Sequence, residues 1–197
     1  MSSFFSILVF ELKHWLKRPS YYVYLIGFFL FAGGVMAVSA GALSDFSGTV
    51  NSSTIANSPF AINGILNSMN SIIFAFLIAA LIGGTIHKDF KYDIHLLLFS
   101  YPFKKGPYLL GKFVAGYIVT LSVLLSATLG MILGTFLPGV NPDLIAPFSI
   151  SPYLQSFWIY LIPNTFFFGA ISFALVTFSR SIIVGCLLYT SDAADEV

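Results

Sequence analysis

The stretch His87 to Lys112, HKDFKYDIHLLLFSYPFKKGPYLLGK, holds five of the nine Lys and Arg residues in a 197-residue chain with only 9% charged residues. Long apolar runs flank it on both sides. Basic residues are retained on the cytoplasmic side of a bilayer, so a short basic segment between two apolar runs reads as a cytoplasmic loop joining two membrane spans. The rest of the chain is laid out around that loop.

Composition gives the same class. The chain is 57% hydrophobic and 17% aromatic, with 22 Phe, and its mean hydropathy is +0.91. A soluble domain has an apolar share of about half and could not hide this much apolar surface. Lipid is therefore the solvent for most of it. The net charge of +1 carries no nucleic-acid signature, and the single cysteine, Cys186, excludes an internal disulfide framework. No cleavable signal peptide is expected, because no early basic region precedes a short apolar run.

Outward from the loop, the apolar runs predict four spans: about 21–43, 61–86, 113–137 and 153–179. Ahead of them, Phe4, Phe5, Leu8, Leu12, Trp15 and Leu16 recur at three- and four-residue spacing. That pattern predicts an amphipathic helix in the interface, with Trp15 at the headgroups and Lys13, His14, Lys17 and Arg18 towards anionic lipid. Pro19 should end it. Gly33, Ala37 and Gly41 in the first span, and Ser122, Ser126, Gly130 and Gly134 in the third, fall four apart and predict close helix packing. Asn63, Asn67 and Asn70 share one helical face of the second span, as bundle-facing or pathway-lining residues or as hydrated groups near the outer interface. Pro163 and Asn164 predict a kink in the fourth.

The two connecting segments 44–60 and 138–152 contain no Lys or Arg, whereas three basic residues precede the first span, five lie in the loop and one follows the fourth. This distribution predicts a cytoplasmic N-terminus. The expected fold is an all-α membrane protein with an N-terminal interfacial helix (1–19) and a transmembrane domain (20–185) of four complete helices and a truncated fifth. The fifth has only about ten apolar residues where about twenty are needed. Cys186 to Glu196, CLLYTSDAADE, resembles translated sequencing-adapter read-through, so residues 186–197 are expected to be a non-native tail.

Motifs for chemistry dissolve on inspection. Gly106 to Lys112 matches the first seven positions of a phosphate-binding loop, but Phe113 stands where a Mg²⁺-binding hydroxyl belongs and Pro107 removes an N–H donor. His87, His95, Asp89 and Asp93 lack any metal-ligand spacing. No catalytic residue, metal or cofactor is expected in this chain.

The order of elements carries a resemblance. An interfacial helix, a span, a polar external loop and a second span come first. Then follow Lys88-Asp89-Phe90, the run Leu96 to Lys105 with Pro102, and Tyr108-Leu-Leu-Gly-Lys112. This pattern, over roughly Phe4 to Gly185, resembles the permease subunits of type-2 ABC exporters. With Pro147-Phe148-Ser149 and Pro163-Asn164, it is most similar to bacterial permeases that carry a zinc aminopeptidase-like domain further along. The resemblance implies a multi-pass subunit of the bacterial inner membrane that works with a second permease subunit, as homo- or heterodimer. It also implies a separate ABC ATP-binding subunit that supplies ATP and Mg²⁺ chemistry, and no nucleic-acid partner.

In that family the helix between the second and third spans docks on the ATPase. Here the docking residues would be Lys88, Asp89, Phe90, Ile94, Leu97 and Leu98, with Lys88 and Asp89 fixing the start of the helix. If 90–99 is helical, Phe90, Ile94, Leu97 and Leu98 lie on one face. A membrane anchor for a soluble, peptidase-like domain beyond this segment is the alternative. A secondary transporter would normally carry ionisable residues at membrane depth, and the spans contain none.

Overall fold

The computed structural model describes residues 3–42, 55–69, 75–92 and 105–179. Among them every regular element is helical. The elements are α1 (Ser3–Leu16), α2 (Pro19–Ser39), α3 (Pro59–Met69), α4 (Ala75–Ile78), a π-helical turn (Ala79–Gly83) and α5 (Gly84–Lys91). After the loop come α6 (Lys105–Gly134), a 3₁₀ turn (Pro142–Leu144), α7 (Ser151–Gln155), a π-helical segment (Ser156–Leu161) and α8 (Ile162–Ser179).

Three helical runs are long and apolar enough to cross a membrane: Pro19–Ser39, Gly106–Gly134 and Ser151–Ser179. Helices of that kind are those of a membrane protein, as the composition predicts. They coincide with the first, third and fourth expected spans. The stretch expected as the second span holds α3 and the run from α4 to α5, with 70–74 between them outside the described residues, and is not among these three helices. The expected truncated fifth span, and the tail at 186–197, also lie outside them.

The described residues fall into two compact units, one drawn from 1–19, 70–121 and 164–197 and the other from 20–69 and 122–163. In the second unit, α2 and α6 run parallel along a seam in constant register. The Tyr21 and Ser122 hydroxyls are 2.8 Å apart, and Ser126 Oγ donates to the Leu25 carbonyl at 2.9 Å. One turn further, Gly130 lies against the Phe29 carbonyl, and beyond it Gly134 lies against that of Gly33. Each pair is four residues on from the last, which is the small-residue stripe expected from sequence. Two hydroxyls satisfy polar partners, then two glycines let backbone meet backbone.

Gly41 differs from its expected role. It lies beyond α2 at φ +83°, where its N–H bonds to Val38 O while Ala42 N–H reaches back to Ala37 O. Those paired bonds satisfy the last carbonyls of the helix and need a left-handed residue, so Gly41 closes α2 rather than extending its stripe. Ahead of α3, the Asn57 amide donates to Ala146 O and accepts from Ala146 N–H, both at 2.8 Å.

In the first unit, α1, the π turn with α5, the start of α6 and most of α8 pack together. Leu81, Ile82 and Ile86 are buried. A Cβ on Gly116 would press the Ile82 backbone at 3.1 Å, and one on Gly111 would press Ile7 and the Phe4 carbonyl. Phe113 and Tyr117 meet Phe166 and Phe173 edge-on, with ring centres 5.5–5.8 Å apart. α1 does end before Pro19, which opens α2 at a first-turn position where its missing N–H costs nothing. Just before Pro163 the helix ladder widens, and Ile162 N–H bonds to Phe157 O, five residues back. This π segment of the second unit ends two residues before Pro163, the position where the sequence predicts a kink.

Candidate functional site

The first unit buries an ionic cluster where α1, α5 and α6 meet. Lys112 of α6 points its ammonium at Glu11 Oε1 of α1 (2.6 Å) and at Asp89 of α5 (2.9 and 3.1 Å to its two oxygens). The Thr85 carbonyl of α5 accepts from it as well, at 3.2 Å. Tyr108, one turn before Lys112 on α6, donates its hydroxyl to Asp89 Oδ2. Glu11, Asp89 and Lys112 are 6%, 8% and 4% exposed, so all three are shielded from solvent.

The local sequence explains why these groups converge. Tyr108 and Lys112 are four apart on α6, and Thr85 and Asp89 are four apart on α5, so each pair occupies one face of its helix. Gly111 removes the side chain that would hold α1 off α6 next to Lys112. Lys112 has three N–H donors, and four oxygens surround them. Charges this well buried persist only when paired and hydrogen-bonded, a condition the geometry meets.

A second group of cations lies beside the cluster. Lys88 Nζ sits 4.2 Å from the centre of the Trp15 ring, and the Arg18 guanidinium carbon is 5.7 Å from the same ring. Burial, followed by the nearby Arg18 charge, pushes the Lys88 ammonium down to about 8. Burial first, then Arg18 and Lys88, also lowers His14. Trp15 is 5% exposed, so protein encloses its indole. Its indole is covered because α5 brings Lys88 over it.

Of the residues expected at the docking helix, Lys88, Asp89 and Phe90 lie in α5, whose last helical residue is Lys91. Lys88 and Asp89 therefore occupy the end of one helix rather than the start of another, and Asp89 points into the ionic cluster. Ile94, Leu97 and Leu98 lie outside the described residues. Asn63 is exposed; Asn67 is exposed and accepts a 2.6 Å hydrogen bond from Tyr160 OH; Asn70 is outside the described residues. Gly106 to Lys112 is helical, with Lys112 consumed by its carboxylates, so the segment has no phosphate-loop geometry. Among the described residues no His, Cys, Asp and Glu group could hold a metal ion.

The sequence reading did not find the cluster. Glu11 is 101 residues from Lys112, and no short-range pattern links them. Glu11 was the one acid among the basic residues of α1, a weak signal that it faces inward. Compared with known proteins, the chain matches no family model, no curated protein and no solved structure.

Proposed function

We propose that the chain is the membrane-spanning subunit of an ATP-driven exporter of the type-2 ABC kind, and that the loop after α5 receives the push of a separate ATP-binding subunit. The observation that carries this reading is the Lys112 cluster. It ties α5 and α6, the helices on either side of the loop, to each other and to α1. A force applied at residues 92–104 therefore meets two helix ends already cross-linked by buried charge, and is passed on rather than dissipated. The reading places the protein in a bacterial inner membrane with four spans and both the N-terminus and this loop in the cytoplasm. ATP and Mg²⁺ act in the partner, and a second permease copy or homologue completes the pathway.

Two measurements test it. Cysteine labelling with a membrane-impermeant reagent should modify Asp143→Cys from outside and leave Lys104→Cys unmodified; external labelling of Lys104→Cys reverses the orientation. Ile94→Asp with Leu97→Asp in the complete protein should abolish co-purification of the ATP-binding subunit while membrane insertion persists. Loss of one buried aliphatic anchor at an interface costs about 2 kcal/mol or more, so two should be decisive. Unchanged capture would remove the loop from the coupling role.

A further inference from the structure

Two buried N–H groups beside α1 have no acceptor. Trp15 Nε1 and Lys88 Nζ are both buried and make no hydrogen bond among the described residues. The Lys88 ammonium lies over the Trp15 ring, and Arg18 approaches that ring too. The carboxylates of the neighbouring cluster do not serve them: Glu11 and Asp89 are held by Lys112, and Asp89 also by Tyr108. A ring face attracts a cation but offers the indole N–H nothing. Leaving buried donors unpaired is costly, and among the described residues no anionic acceptor meets them.

We propose that Lys88, Trp15 and Arg18 form a binding site for a phosphate-class oxyanion, with Lys88 Nζ and Trp15 Nε1 as direct donors and Arg18 as the flanking charge. A tetrahedral oxyanion can accept from both donors while facing a second cation, and charge-assisted bonds of this kind are the strong ones. The phosphodiester of an anionic lipid headgroup and free phosphate share this chemistry. α1 exposes Phe5, Val9, Phe10 and Leu16, an apolar face suited to the interface where such headgroups lie. The site is independent of the coupling reading.

Protonation gives the site a pH dependence. The groups around Lys88 are Glu11 and His14 on α1, Arg18 between α1 and α2, Asp89 on α5 and Lys112 on α6. Lys88 is cationic below about 8 and loses its charge above it. Anion affinity should therefore be full at neutral pH and fall as the pH rises past that value.

The chain has two tryptophans, so Trp158→Phe leaves Trp15 as the only indole reporter. Purified in neutral detergent, this variant should show a saturable fluorescence change on addition of phosphatidylglycerol and none with phosphatidylcholine. Inorganic phosphate forms the second arm. A response to the lipid alone assigns the site to headgroups, and a response to inorganic phosphate as well assigns it to phosphate in general; both support the site. Lys88→Gln should weaken binding about tenfold or more, whereas Lys17→Gln, which removes an exposed charge just past the end of α1, should not. Should Lys88→Gln fail to fold, Arg18→Gln gives the deciding comparison. No saturable response to either anion, or equal loss in Lys17→Gln, overturns the proposal.

Discussion

Lys112→Met is expected to cost the protein about 3–5 kcal/mol of stability, measured by reversible unfolding in mixed micelles, because it leaves two carboxylates buried without their cation. Glu11 and Asp89 are each less than a tenth exposed, and Lys112 is the ion-pair partner of both. The penalty belongs to the abandoned charges rather than to the missing amine. Neutralising them should therefore return much of it: Lys112→Met combined with Glu11→Gln and Asp89→Asn should be more stable than Lys112→Met alone. If the single variant unfolds like the parent, the carboxylates have another source of compensation and the cluster is not what joins the three helices.

Gly130→Val should be nearly as damaging for a different reason. Any Cβ at Gly130 would overlap the Phe29 carbonyl, which is backbone of α2 and cannot rotate away. The helices must part, and the neighbouring contacts of Ser126 and Gly134 part with them. Overpacking of this kind costs about 1–3 kcal/mol and sometimes more. Gly34→Ala is the control, since a Cβ there meets nothing within 4 Å. It should be neutral or slightly stabilising, because Ala favours helix over Gly by about 1 kcal/mol. Equal losses at the two positions would mean that the seam tolerates separation.

Features with a short-range signature were legible in the sequence. The stripe from Ser122 to Gly134 repeats every four residues, and four-residue repeats mark one helix face, so its role in packing could be read directly. Pro19 marked the end of α1 because proline acts on the residues adjacent to it. Gly41 carried the same spacing as Gly33 and Ala37 but lay past the helix end, where its positive φ mattered more than its size. The site was much less legible. Trp15 read as an interfacial anchor because apolar residues recur at helical spacing in α1 while basic ones gather towards its end, and nothing local shows that Lys88 covers the indole. The Glu11–Lys112 pair depends on α1 lying along α6, which Gly111 permits without announcing.

If the proposed coupling holds, α1, α5 and the start of α6 move as one body when the loop is pushed. Spin labels at Lys13→Cys and Tyr92→Cys, both exposed positions, read it directly by pulsed dipolar spectroscopy, with any other cysteine of the complete protein replaced by Ser. On the proposed function, the complete protein together with the proposed ATP-binding subunit would be compared with and without ATP. One narrow distance, unchanged by ATP, is expected, and it should broaden and become ATP-dependent in Lys112→Met. An ATP-driven shift larger than the width of the distribution while Lys112 is intact would contradict it.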